Sequence, residues 1–220
     1  MTSRLNTPLS LSRIHFPVST LGPGKRIGIW FQGCSLRCPG CISTDTWTPL
    51  RENTTISEVL KVCASFGEGV DGVTITGGEP TEQPVALAAL LQGLSEILPT
   101  GVDVLLYSGR TFSELTPLLS DLAGLVDALI SEPYVESEEQ TRPLMGSDNQ
   151  QLHLLTSLGE ARFREYLRPR DETDHLLDFM ADDEGRIWMA GIPRRGDMER
   201  LRGLLAEEGV WIQTSEQKRP

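Results

Sequence analysis

Short apolar runs alternate along this chain with longer stretches whose apolar residues recur every three or four positions. This is the pattern of strands and amphipathic helices in a parallel α/β sheet. Residues 25–33 read as a first strand, with Ile27, Ile29 and Phe31 on one face. A helix is expected over about 56–66, where Thr55 and Glu58 form a capping box and Gly67 suits the stop. Residues 71–76 read as a short buried strand ending in Gly77-Gly78-Glu79-Pro80. The next helix spans about 84–98, with Leu87, Leu90, Leu91, Leu94 and Leu98 at helical spacing. Another strand, 102–107, stops at Ser108-Gly109, and Thr111 and Glu114 then cap a leucine-rich helix that Pro117 should kink or split. Further strands are expected at 126–130 and, after a long loop, at 151–155.

The pattern changes near Arg168. Residues 168–174 read as a charged connector, 176–180 and 186–192 as a strand pair around 182–185, and 197–208 as a final amphipathic helix stopped by Gly209. Residues 1–165 are thus expected to form the sheet domain, and 166–220 a small C-terminal extension of strand, strand and helix.

Composition narrows the function classes. The chain has 220 residues, 39% of them hydrophobic, enough for one large domain or a domain with a small appendage. Its net charge of −11, from 20 basic and 31 acidic residues, disfavours a large nucleic-acid footprint. No apolar stretch approaches the roughly 20 residues of a membrane span. Residues 1–10 lack the basic-then-apolar order of a signal peptide. A cytoplasmic location is expected, with neither membrane nor nucleic acid as partner.

Candidate chemistry lies in the cysteines. Cys34, Cys38 and Cys41 follow the first strand with spacing C-x3-C-x2-C, while Cys63 stands apart. Three cysteines so close make poor mutual disulfide partners, and thiolates suit iron–sulfur clusters or zinc. Three thiolates on one loop can bind three corners of a cubane and leave the fourth iron open. The alternative is a zinc site closed by Cys63 or a histidine. Cys63 shares a helical stripe with Ile56, Val59 and Leu60 and is expected in the core; His15, His153 and His175 form no ligand-like pair.

The loop Gly33-Cys34-Ser35-Leu36-Arg37-Cys38-Pro39-Gly40-Cys41 resembles the cluster loop of radical S-adenosylmethionine enzymes. Thr76-Gly77-Gly78-Glu79-Pro80 resembles that superfamily's glycine-glycine-glutamate-proline motif, although alone it reads equally as a turn. The resemblance implies a [4Fe–4S] cluster on Cys34, Cys38 and Cys41, whose open iron is chelated by the methionine moiety of S-adenosylmethionine. It implies cleavage to methionine and a 5′-deoxyadenosyl radical, with the electron from a reduced flavodoxin- or ferredoxin-type donor. Gly77, Gly78 and Glu79 would hold the methionine end and Ser108 the ribose. The fold implied is an incomplete parallel (β/α) barrel with its catalytic loops at the C-terminal strand ends.

Within the superfamily, Gly22-Pro23-Gly24-Lys25, Thr46-Trp47 and Gly146-Ser147-Asp148-Asn149-Gln150 resemble segments of glycyl-radical enzyme activases, in particular those of anaerobic (class III) ribonucleotide reductase. This branch implies a glycyl-radical enzyme as protein partner. Two positions depart from the pattern. Ser131-Glu132 stands where an aspartate–glycine pair is usual, and Gly40 where many radical enzymes carry an aromatic residue against adenine. The alternatives are the same radical chemistry on a peptide, nucleotide or other small molecule, and a non-catalytic zinc module.

Overall fold

Six strands form the central sheet of the computed structural model, which describes residues 2–49, 51–174, 177–181 and 187–211. They are β1 (Leu11–Val18), β2 (Arg26–Phe31), β3 (Gly72–Gly77), β4 (Asp103–Tyr107), β5 (Ala128–Ser131) and β6 (Gln151–Leu154), and they lie side by side in chain order. β2 to β5 run parallel, while β1 and β6 flank them antiparallel. Three helices connect the parallel strands: α1 (Ile56–Ser65), α2 (Pro84–Ile97) and α3 (Phe112–Asp121). A short helix, α4 (Ser157–Phe163), follows β6.

The expectation of a wholly parallel arrangement is corrected at both edges. No helix lies between β5 and β6, and without a crossover helix the chain returns antiparallel. β1 was hidden by irregular register: shifts between Leu11 and Arg13 and between His15 and Val18 break the strict alternation, and Pro17 reads as a stop.

Most local signals elsewhere acted as expected, and Pro117 did not. Both capping boxes form, Thr55 with Glu58 and Thr111 with Glu114. Gly67 takes φ +67° just past α1, where a residue with a Cβ is strained. Pro117 neither splits nor ends α3, which runs unbroken from Phe112 to Asp121. The hydroxyls of Thr116 and Ser120 donate to the carbonyls of Phe112 and Thr116, adding bonds in the turns that flank the missing N–H.

Alternate strand residues face α1–α3. Ile27, Ile29 and Phe31 pack with Val73, Ile75, Leu106 and Leu129 against Val59, Leu60, Cys63, Leu87 and Leu90. The opposite face is different: its lower end is charged and its upper end opens on a cavity. Arg26, fully buried, donates to Asp103 Oδ1 at 2.6 Å, to Thr74 Oγ1 at 2.7 Å and to the carbonyls of Val73 and Pro23. Arg162 approaches Asp103 Oδ2 at 3.1 Å. Gly22-Pro23-Gly24-Lys25 belongs to this cluster: Lys25 N–H donates to Asp71 at 2.8 Å, and Gly24, at φ +73°, leaves no room for a Cβ against that carboxylate. The motif closes the N-terminal ends of the strands, away from the cysteines.

The extension forms a hairpin of β7 (Leu177–Ala181) and β8 (Ile187–Gly191), followed by α5 (Asp197–Glu207). The expected turn at 182–185 and His175 lie outside the described residues. Asp178 receives hydrogen bonds from the N–H and hydroxyl groups of Ser19 and Thr20, and Met180 and Ala190 pack on Val18, Leu21 and Trp30. The extension is therefore bound to the face of the sheet that α1–α3 leave uncovered.

Removing Asp103 would strand the buried Arg26 guanidinium. Asp103→Ala is expected to cost about 3–5 kcal/mol, measured as a lowered urea midpoint. Asp103→Asn, which keeps an acceptor, should cost less. An unchanged midpoint for Asp103→Ala would contradict the role given to this pair.

Candidate metal centre

β2 ends at Phe31, and the chain turns through Gly33 (φ +98°) into the cysteine loop. Arg37 (φ +46°) and Gly40 (φ +75°) also take left-handed conformations, which curl the loop so that all three cysteines line one cavity. Cys41 N–H donates to the Cys38 carbonyl at 3.1 Å. Gly33 N–H donates to Thr46 O at 2.8 Å, so buried Thr46 closes the loop behind the cysteines. Glu82 holds its front, accepting from Ser35 N–H at 3.0 Å and from the Ser35 hydroxyl.

Burial pushes the Cys34 thiol up, and Glu79 and Glu82 add to the rise; hydrogen bonds from the Arg37 and Leu36 backbone oppose it. Cys41 is pushed up to about 11, mainly by burial and then by Cys38, against hydrogen bonds from the Ser43 backbone and the Trp47 side chain. Donors directed at sulfur are what a bound thiolate requires. Among the described residues no group of three His, Cys, Asp or Glu side chains is set to hold a single metal ion. A cubane takes its thiolates on separate irons, so a loop that spreads three half-buried thiols around one cavity fits a cluster.

The Gly77-Gly78-Glu79 segment continues β3 beside the start of this loop. Gly78 N–H donates to Phe31 O and Glu79 N–H to Gly33 O, both at 2.8 Å. A Cβ on Gly78 would lie 2.1 Å from the Gly33 oxygen, and one on Gly77 (φ +106°) 2.5 Å from that of Phe31. The close approach that needs glycine here is thus to the cysteine loop itself. Glu79, 1% exposed, takes four hydrogen bonds from the protein. Oε1 accepts from Thr81 N–H, the Thr81 hydroxyl and the Ser108 hydroxyl, and Oε2 from Gly109 N–H at 2.8 Å. Ser108 and Glu79 are therefore partners of one another, on the wall that also carries the cysteines.

The cavity measures about 1190 Å³. Its opposite wall is the extension, to which sequence reasoning assigned no role. Arg13 connects the two sides: it pairs with Asp45, just beyond the cysteines, at 2.6 Å, and its guanidinium lies 5.2 Å from the ring centres of both Trp30 and Trp188. Gln140 donates to Pro193 O at 3.0 Å, and Arg195 donates to Glu138 O.

The segment Gly146-Ser147-Asp148-Asn149-Gln150 braces the loop after β5. Gln150 accepts from Gly146 N–H and donates to Glu132 O, Asn149 donates to Pro133 O, Ser147 accepts from Val135 N–H, and Asp148 accepts from Thr141. Glu132 takes φ +77°, a conformation that glycine would adopt more readily, and its carboxylate caps α3 by accepting from Phe112 N–H at 3.0 Å. Gly40 leaves space that the Glu136 carboxyl group fills. Cys63 is core, as expected, and its thiol is pushed up to about 12 by burial. His153 shares a 2.9 Å hydrogen bond with Ser131 and stacks on Phe112.

The family of 4Fe–4S single cluster domains matches residues 20–153. That span holds the cysteine loop, Gly77–Glu79 and Ser108. The chain belongs to this family. Among curated proteins, it is 28% identical over 152 residues to the anaerobic ribonucleoside-triphosphate reductase-activating protein of Vibrio cholerae, covering 64% of this chain and 96% of that protein. It is 27% identical over 135 residues to the protein of the same name from phage T4, covering 60% of this chain and 85% of the other. The pyruvate formate-lyase-activating enzyme of Clostridium pasteurianum is 36% identical over 100 residues, 43% of this chain and 42% of the enzyme. β7, β8 and α5 of this 4Fe–4S protein lie outside the span that the family matches.

Cys34→Ala, Cys38→Ala and Cys41→Ala are each expected to lose the iron of anaerobically reconstituted protein, whereas Cys63→Ala retains it. Gly78→Ala should also lower iron and sulfide content, because the added methyl displaces the Gly33 carbonyl. Iron retained by Gly78→Ala with an unchanged spectrum would show that the two segments move independently.

Glu79→Gln sets an amide N–H₂ against one of four donors and leaves that group unsatisfied. A loss of about 1–3 kcal/mol in stability is expected. Chemical denaturation measures it, and a fully stable variant would exclude the tying role.

Proposed function

We propose that this protein is a radical S-adenosylmethionine enzyme that activates a glycyl-radical enzyme by hydrogen abstraction from a backbone glycine. The observation that carries the proposal is the three-cysteine loop locked against Gly77–Glu79 at the mouth of a cavity large enough for more than a cofactor. On this reading β2 to β5 with α1–α3 are the wall of an incomplete (β/α) barrel, residues 1–165 carry the chemistry, and residues 166–220 form an appended wall. The names of the relatives, activating proteins of anaerobic ribonucleoside-triphosphate reductase and pyruvate formate-lyase, support it.

When bound, the [4Fe–4S] cluster supplies the electron that cleaves S-adenosylmethionine to methionine and a 5′-deoxyadenosyl radical. Cys34, Cys38 and Cys41 hold that cluster, and the backbone of Leu36, Arg37 and Ser43 directs hydrogen bonds at sulfur. Gly77 and Gly78 present bare backbone beside the cysteines, where the methionine end binds. Glu79 and Ser108 fix the loops on which that end and the ribose rest. The electron comes from a reduced flavodoxin- or ferredoxin-type donor, and the site of action is the cytoplasm. Among the described residues no helix is long and apolar enough to cross a membrane.

The test is anaerobic incubation of reduced protein with S-adenosylmethionine and a candidate glycyl-radical enzyme. 5′-Deoxyadenosine and a glycine-centred doublet on the partner, seen by electron paramagnetic resonance, are the expected results. Deoxyadenosine formed only with a peptide or small-molecule substrate, and no doublet, would replace the activase reading with the other radical one.

A further inference from the structure

The helix α5 is unusual in what its apolar stripe faces. Met198, Leu201 and Leu205 lie at helical spacing with Arg202 and line the cavity. Leu201 and Leu205 remain half-buried. At about 1190 Å³ the cavity exceeds the roughly 300–1,000 Å³ that encloses a drug-sized ligand.

Charge is divided across this space. The extension supplies three guanidinium groups, Arg194, Arg195 and Arg202, against one carboxylate, Glu199; the facing wall supplies Asp45, Glu79 and Glu136 against one guanidinium, Arg13, which pairs with Asp45. In a chain of net charge −11, the extension's side of the cavity is a local excess of positive charge. Its place is held on several sides, by Asp178 on Ser19 and Thr20, by Gln140 on Pro193 and by Arg13 between two tryptophans. A wall fixed in this way and lying outside the family's matched span adds selection to chemistry that the span already carries.

We infer that the extension reads an acidic, partly apolar peptide segment of the protein partner. The segment lies extended along α5, with an apolar side chain against Leu201 and Leu205 and a carboxylate against Arg194 and Arg195. Its backbone then passes between α5 and the cysteine loop. The inference rests on the proposed action on a protein partner and adds which segment chemistry the site accepts. Arginine favours such a contact because its planar donors meet a carboxylate in two parallel bonds.

The experiment uses the cluster-loaded full chain and three labelled peptides of equal length around a central glycine. One carries glutamates and leucines, one lysines in place of the glutamates, and one serines in place of the leucines. Fluorescence anisotropy should show the first binding best, with each replacement weakening affinity roughly tenfold and added salt weakening the two peptides that carry glutamates. Arg194→Glu with Arg195→Glu should reverse the charge preference, and Leu201→Asp should remove the apolar one. Iron content and thermal midpoint report on folding, and Arg194→Gln, which removes charge without reversing it, serves if the double variant does not fold. Equal affinity for acidic and basic peptides overturns the inference. So does self-association through this face, seen as a dimer in sedimentation that the same variants dissociate. Deoxyadenosine production by the wild type tests the underlying reading separately: none formed sinks that reading, whereas production without any peptide charge preference sinks the inference alone.

Discussion

Gly33 and Gly78 meet backbone to backbone, and that contact fixes where the cysteine loop leaves the sheet. The Gly33 carbonyl accepts from Glu79 N–H, and its N–H donates to Thr46 O. One residue thus joins the segment after β3 to the far end of the cysteine loop. Glu79 extends the tie to the loop after β4 by accepting from Ser108 and Gly109. Each backbone bond adds only about 0.5–1.5 kcal/mol net, and each bond to the carboxylate about 1.5–3 kcal/mol. Their value is geometric: three loops from three parallel strands are held at one point, and none can shift alone. No Cβ fits at Gly78, so the contact also explains the second glycine without reference to a ligand.

The sheet separates two kinds of polar chemistry by its ends. At the N-terminal ends Arg26, Asp103 and Thr74 form a buried, matched set that the partly exposed Arg162 closes. At the C-terminal ends the thiols, the bare glycine backbone and the arginines of the extension face open space. Removing one partner of a buried ion pair is costly, so the closed end is fixed by its own chemistry and is suited to structure. The open end is left for ligands, as in barrels whose loops at the strand C-termini carry the reaction.

Much of this was legible wherever a local signal decided the outcome. Thr55 and Glu58, or Thr111 and Glu114, cap a helix wherever the chain lies, and the spacing of three cysteines survives any fold. β1 was not legible, because register shifts and Pro17 erase the period-two pattern. The antiparallel return of β6 depends on the missing crossover helix, and α3 continues through Pro117. The partners of Glu79 were invisible for another reason: Ser108 and Gly109 stand some thirty residues away in sequence, brought in by β4. Gly22–Lys25 and Gly146–Gln150 were recognisable as motifs, yet only the packing shows one closing the sheet and the other bracing a loop.

Burial raises the cost of deprotonating Cys34 and Cys41, whose protons a metal must displace to bind. That cost falls on a loop whose shape is already set. Left-handed Gly33, Arg37 and Gly40 fix its curl, Thr46 closes it behind and Glu82 holds Ser35 in front. The backbone donors of Leu36, Arg37 and Ser43 lie against sulfur before any thiolate forms, so no loop ordering is added to the cost of deprotonation. The same order extends outward: Asp45, the residue before Thr46, holds Arg13, and Arg13 holds Trp188. The wall opposite the cysteines is thereby positioned from the cysteine loop itself.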